Sequence, residues 1–185
     1  MKRSGYAMAV AAAMMVTACS SGQPLVDTSS FVVQAGSVIE LEYVNYAWVP
    51  TYKGFTIDAT GNLFSWDRSG EQWKPADEEH PTADELSSKY SKKTAVRTIG
   101  AGDVQKYFAL ATEASKGTLT SPMNRCADAG EWVLSAYLPT DNGRLNRVLI
   151  RQEGDMVREN TSSAAKDLAA RIDKLALMQR SSCRN

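Results

Sequence analysis

Gly54-Phe55-Thr56-Ile57-Asp58-Ala59-Thr60-Gly61-Asn62-Leu63-Phe64-Ser65-Trp66 reads as two short strands joined by a tight turn. β-Branched and aromatic residues occupy both arms, and Ala-Thr-Gly-Asn separates them. Asp58 can accept hydrogen bonds from the backbone amides of the turn. Gly61 accepts the positive φ that such a reversal requires. The stretch is a β-hairpin, and a hairpin makes its two strands antiparallel neighbours.

Upstream of it, Ile39, Leu41, Tyr43 and Asn45 alternate with Glu40, Glu42, Val44 and Tyr46, which predicts a strand beginning at Val38. Glu40 and Glu42 share one face and are expected to meet water. Residues 31–33 are expected to form a short edge strand. Downstream, residues 67–81 are charged, contain Pro75 and Pro81, and read as a loop. Thr82-Ala83-Asp84-Glu85 matches a capping box and predicts a short helix to about Tyr90. Gly102-Asp103 opens a second helix with Val104, Tyr107, Phe108, Ala111 and Ala114 on one face, and Gly117 lies where it should stop.

Residues 132–138 and 147–152 form the next two strands, with a turn at residues 139–143. Val148, Leu149 and Ile150 are apolar in succession, so burial on both faces is expected. Gly154-Asp155 ends that strand. Ser162 or Ser163 caps a last helix running to about Met178, in which Leu168, Ile172 and Leu175 recur at helical spacing. The order β-β-β-α-α-β-β-α segregates strands from helices. It argues for an α+β fold with an antiparallel sheet and helices on one face.

At the N-terminus, Lys2 and Arg3, an apolar run from Tyr6 to Val16, and Thr17-Ala18 before Cys19 have the layout of a secretory signal. The run is too short for a ~20-residue membrane-spanning helix. Cys19 directly after Thr17-Ala18 resembles the lipobox of bacterial lipoproteins. The resemblance implies cleavage before Cys19, acylation of its thiol and new amine, and attachment to a lipid bilayer at ~0.8 kcal/mol per buried methylene. Ser20 follows, and not Asp; in a Gram-negative cell that arrangement implies the outer membrane. The expected organisation is a signal peptide over residues 1–18, lipidated Cys19 with a flexible tether through residue 30, and one domain over residues 31–185.

Removing the signal leaves 19 basic and 21 acidic residues, so net charge gives no broad attraction to nucleic acid or anionic lipid. Residues 144–185 hold nine Lys or Arg against five acids, and residues 67–85 hold two against seven; the two stretches can attract each other within the fold or each be a solvated face, and the second is the default expectation. Cys126 and Cys183 remain after lipidation. In an oxidising compartment such a pair closes, and the expected disulfide spans a loop of about 58 residues, contributing ~4 kcal/mol in the chain-entropy picture.

The chain offers no catalytic set. Its one histidine, His80, sits in the acidic loop and is expected to be solvated. Ser163-Ala164-Ala165-Lys166 matches Ser-x-x-Lys, but at a helix start Ser is a cap and Lys is solvated. Asp58 to Asn62 has too few oxygen ligands for a calcium loop. No phosphate loop, nucleophile elbow or cysteine cluster of metal type is present, so no cofactor and no metal ligand is assigned.

Aromatic density is the positive signal. Tyr43, Tyr46, Trp48, Tyr52, Phe55, Phe64, Trp66 and Trp73 are eight of the fourteen aromatics after the signal, all within residues 43–73. Most would build a sheet core. Tyr46, Trp48, Tyr52, Trp66 and Trp73 are the candidates for an exposed face that meets a protein or carbohydrate, because Tyr and Trp offer rigid apolar area with a polar tip.

Tyr43-Val44-Asn45-Tyr46-Ala47-Trp48, the hairpin's Gly54 to Asp58, Gly61-Asn62 and Ser65-Trp66, together with Gly154-Asp155, Asn160 and Ala165, resemble as a set a group of small bacterial lipoproteins and secreted proteins of uncharacterised function. The likeness implies a shared fold and export, and supplies no catalytic residues. The functional expectation is an envelope lipoprotein with a binding or structural role. The alternatives are a hydrolase of cell-wall or sugar polymers and an inhibitor or immunity-type lipoprotein.

Intact mass spectrometry of protein purified from bacterial envelopes checks the cysteine assignments. Cys19 should carry acyl chains that Cys19→Ser removes, and Cys126 and Cys183 should resist alkylation until reduced.

Overall fold

A computed structural model describes residues 31–47, 50–175 and 177. The expected signal peptide and tether with Cys19, and also Trp48 and Cys183, lie outside the described residues. The chain runs β1 (Val38–Asn45), β2 (Thr51–Asp58), β3 (Asn62–Asp67), α1 (Ala83–Lys89), β4 (Lys93–Thr98), α2 (Ala101–Ala114), β5 (Met123–Asn124), β6 (Glu131–Pro139), β7 (Leu145–Gly154), β8 (Met156–Glu159) and α3 (Ser163–Asp173). The fold is α+β. Its strands form one antiparallel sheet in the order β4-β3-β2-β1-β6-β7-β8-β5.

The hairpin forms as its sequence dictates, with Ile57 opposite Leu63. Asp58 Oδ1 accepts from the Thr60 and Asn62 amides at 3.0 and 2.9 Å. Gly61 has φ +88°, and a Cβ there would stand 2.8 Å from both Ile99 O and Val104 Cγ2. Both the turn and the approach of α2 therefore require glycine. α1 has the expected capping box between Thr82 and Glu85.

The sheet buries side chains on both faces. On one, Ile39, Leu41, Ile57, Leu63, Leu134 and Ile150 pack under α2 and α3. On the other, Val44, Tyr52, Trp66, Tyr137 and Leu145 pack with Leu86 and Tyr90 from α1 and the residue after it. The two long helices thus cover one face, as expected, but the short α1 lies on the opposite face. It is placed there because the chain from β3 is stitched to β7: Leu145 N donates to Pro81 O and Arg147 N to Glu79 O, both at 2.9 Å.

Several features depart from the sequence reading, the short strands β5 and β8, which were not expected, among them. Residues 31–33 form no strand; Phe31 and Val33 pack against the core and Gln105 Nε2 donates to Phe31 O at 2.5 Å. β4 forms where no strand was expected. All six of its residues are exposed at the sheet edge, so it has no apolar alternation to read. α3 ends at Asp173, with Lys174 as C-cap, short of Met178. Val148 and Ile150 are buried, but Leu149 is only half-buried, because its face opens into the cleft described below.

β2 crosses β1 with Gly54 opposite Glu42, and an ideal Cβ on Gly54 would lie 2.3 Å from Leu41 O. Gly54→Ala should therefore lower stability by ~3 kcal/mol, the upper end for one substitution. A urea denaturation midpoint equal to that of the parent would contradict this.

Candidate functional site

β1 is flanked by β2 and β6, so its side chains alternate between two covered faces. Glu40 and Glu42 point to the face that α1 covers. They are not in water, as the sequence pattern suggested: Glu40 is 1% and Glu42 7% exposed. The reason is Lys89, at the last turn of α1 and itself 2% exposed. Its Nζ lies 2.8 and 2.9 Å from the two oxygens of Glu40 and also contacts Glu42 Oε2.

The ammonium is enclosed by aromatic rings. Trp73, Tyr52, Trp66 and Tyr90 have centroids 4.6, 5.3, 5.4 and 6.0 Å from Nζ. The Tyr137 hydroxyl donates to Glu40 Oε2 at 3.2 Å. Burial raises the Glu40 pKa above its ordinary 4.5; Lys89 opposes this and Glu42 adds to it. Burial, reinforced by the charge of Glu40, also pushes the Tyr137 phenol well above its ordinary range, so it stays a donor.

Arg147 supplies a second positive charge on this face. Its Nε donates to Ser135 Oγ at 3.3 Å and its Nη1 meets Glu79 Oε1 at 3.5 Å. Burial works against its charge, but Tyr137, Glu42, Glu40 and Glu79 together raise its pKa. Arg144 Nη1 donates to His80 O at 2.6 Å. The acidic loop and the basic strand thus meet at this seam through Glu79 and Arg147, while the loop's other acids, such as Asp77 and Glu78, stay exposed. Glu79 faces the Arg147 guanidinium and the His80 carbonyl that of Arg144.

Beside this lid the same face opens into a cleft of about 520 Å³. Its volume lies within the range of small-ligand sites. Val44, Val133 and Leu149 contribute apolar surface, and Glu42, Glu131, Gln152, Arg147 and Arg158 contribute polar groups. Strand register places them. Glu42 pairs with Val133, Val133 with Gln152 and Gln152 with Arg158, so these four form one row across β1, β6, β7 and β8. In the next row Val44 pairs with Glu131, and Glu131 with Gly154, which adds no side chain beside that carboxylate.

Most charges in the cleft are satisfied from within. Glu42 has Lys89, and Arg147 has Glu79. Two are not: among the described residues neither Glu131 nor Arg158 forms an ion pair. Glu131 Oε2 accepts from Gln152 Nε2 at 2.5 Å, and Arg158 Nε donates to the Thr120 carbonyl at 3.4 Å. Tyr46 stands at the rim, 62% exposed, with its phenol pKa raised by burial and by Glu42 and Glu78.

The aromatic candidates divide. Tyr46 is exposed and lines the cleft. Tyr52 and Trp66, at 7% and 3% exposure, are core residues and no binding surface. Each packs on the other edge-to-face at 5.2 Å and faces Lys89. Trp73 is half-buried, its Nε1 donating to Glu85 O at 3.0 Å. Trp48 lies outside the described residues. His80 is exposed, with Nδ1 3.2 Å from Asp77 Oδ2. Among the described residues no group of three or more His, Cys, Asp or Glu could hold a metal ion.

Sequence reasoning missed Lys89, Arg147, Glu131, Gln152 and Arg158. Only one signal was available: Val38 and Val44 bracket Glu40 and Glu42 on the same face, an apolar frame around two acids. A larger hollow of about 600 Å³ lies on the opposite face, where Phe55, Trp132 and Leu177 line it. Its wall includes chain after α3, part of which is outside the described residues.

Lys89→Met should cost ~3–5 kcal/mol, because it leaves two carboxylates buried without their cation. Glu40→Gln should cost less, since Lys89 keeps Glu42. The raised Glu40 pKa means that the folded state holds its proton more tightly than the unfolded chain does. That contribution is complete below the ordinary 4.5 and is lost as pH rises through the folded value. Urea midpoints across pH 4 to 8 should therefore fall with rising pH for the parent, relative to Glu40→Gln; parallel curves would contradict the assignment.

Comparison with protein-family models, with curated proteins and with solved structures gives no match.

Proposed function

We propose that this chain is a lipid-anchored protein of the bacterial cell envelope, at the outer membrane in a Gram-negative cell, whose domain binds a ligand in the cleft beside α1. The observation that carries the binding role is the pair of charges without counter-charges, Glu131 and Arg158, on the walls of one cleft. Charged groups left unpaired within a fold are available to a partner, whose opposite charges replace the water they hold. The lipobox-like Cys19 supports the anchor. The proposed Cys126–Cys183 disulfide belongs to the same reading; it would tie the connection before β6 to the segment after α3.

The geometry favours binding over hydrolysis. A polymer hydrolase needs a protonated acid that can reach the scissile bond. Of the carboxylates lining the cleft, Glu42 is held by Lys89 and Glu79 by Arg147, and Glu40 is 1% exposed beneath Lys89. Tyr46 keeps a place in the site as an aromatic at the rim. Tyr52 and Trp66 leave it, being committed to the core.

The test is chemical cross-linking of the lipidated chain in native envelopes, compared with a Glu131→Gln/Arg158→Gln double variant. The parent should capture a defined component at least tenfold more efficiently than the variant, with equal thermal melts. Equal capture by the two proteins would remove the cleft from the function.

A further inference from the structure

We infer that the ligand of this cleft carries a compact zwitterionic group, an ammonium held by Glu131 and an acid oxygen held by Arg158 with only a few bonds between them; this rests on the proposal that the cleft is the binding site.

Charge sets the class of ligand. Glu42, Glu79 and Glu131 line the cleft together with Arg147 and Arg158. Lys89 holds Glu42 and Arg147 holds Glu79, which leaves one charge of each sign. Glu131 accepts from the Gln152 amide and Arg158 donates to the Thr120 carbonyl, both neutral partners. A ligand with a single charge would neutralise one of the two and shield the other from water without a partner, which is costly. A ligand that carries both charges neutralises both.

The separation sets how compact the group is. Glu131 lies on β6 and Arg158 on β8, with β7 between them. Arg158 pairs with Gln152, and Gln152 with Val133, two residues beyond Glu131 on the same strand. Two strand spacings and a two-residue offset place the Cα atoms ~12 Å apart. The two side chains can span that distance by themselves, yet they form no ion pair, because each is turned to its own neutral neighbour. They are opposite charges held apart across a short gap. A ligand fills such a gap when its own charges are a few bonds apart, as in an α-amino acid or a phosphoethanolamine group. An extended chain charged at its two ends separates them by a further ~3.3–3.6 Å with every residue added.

The flanking groups agree with this polarity. Arginine binds carboxylate and phosphate oxygens through the same fork of donors, so either acid suits Arg158. At the other end Tyr46 lines the rim, where burial and the charges of Glu42, Glu78 and Glu131 raise its pKa. That field attracts an ammonium, and the exposed ring offers it a face.

The test is equilibrium dialysis of the full chain in detergent against two zwitterionic probes, a pool of free α-amino acids and glycerophosphoethanolamine, with retention read by mass spectrometry. The controls carry one charge each: N-acetylated amino acids and amino acid amides for the first probe, N-acetylated glycerophosphoethanolamine and ethanolamine for the second. At least one zwitterion should be retained tenfold or more above both of its controls. Glu131→Gln should abolish only the preference over the N-acetylated control, and Arg158→Gln only the preference over the control without the acid, with unchanged melts. Retained amino acids would mark a free ligand and retained glycerophosphoethanolamine a lipid headgroup; either result upholds the inference. Retention of neither, or equal retention of zwitterion and controls, overturns it. So does stronger retention of free tripeptides, whose charges lie further apart. If envelope capture still depends on Glu131 and Arg158 while neither zwitterion is retained, the cleft remains the site and the ligand class is wrong. If capture is indifferent to both residues and neither is retained, the site itself is wrong.

Discussion

Lys89 brings one positive charge to two carboxylates that the sheet has already buried, and much else in the molecule follows from that contact. Glu40 and Glu42 are carried inward by β1, a strand with neighbours on both sides. Once there they cannot be left unpaired, because desolvating a carboxylate costs several kcal/mol even after relaxation. The last turn of α1 must therefore lie over β1. The aromatic rings around the ammonium exclude water and favour its charge. The same pairing explains why a helix of only seven residues sits stably on that face. Its apolar contact is small, but the ion cluster and the capping box fix its position.

The placement of α1 also determines where the face stays open. The lid reaches Leu145 and Arg147 at the start of β7, where the loop carbonyls of residues 79 and 81 receive their amides. Beyond that seam nothing from α1 covers Val133, Gln152 or Arg158, and the cleft begins. Glu42 belongs to both regions: it pairs with Lys89 and it lines the cleft. Cleft and lid thus share a carboxylate. The row from Glu42 to Arg158 rests on paired strands, a stiffer support for a recognition site than loops would be.

Local order was legible in the chain. The hairpin at Asp58 to Gly61, the capping box at Thr82 and the apolar stripe of α2 each depend on residues a few positions apart. Side-chain chemistry over such distances acts the same way in any fold. β4 was not legible, because an exposed edge strand has no apolar side to announce it. The burial of Glu40 and Glu42 was not legible either. Alternation shows that two residues share a face, and it does not show whether the face meets water or a helix that begins forty residues later. Tyr52 and Trp66 could not be told from surface aromatics for the same reason: their burial depends on Lys89 and Tyr90 arriving above them.

From sequence alone came the α+β class, the antiparallel pairing at the hairpin, the starts of all three helices, and the expectation of an exported, lipid-bearing chain. These rest on local backbone chemistry and on a lipobox-like pattern at the N-terminus. Tertiary structure decided which of two possible faces each carboxylate entered, which cation met it, and which charges were left without a partner. Those outcomes depend on strand register and on contacts between residues distant in the chain, such as Glu40 with Lys89 and Glu131 with Gln152. No short-range pattern encodes them, because the energy of a buried charge is set by what surrounds it in space.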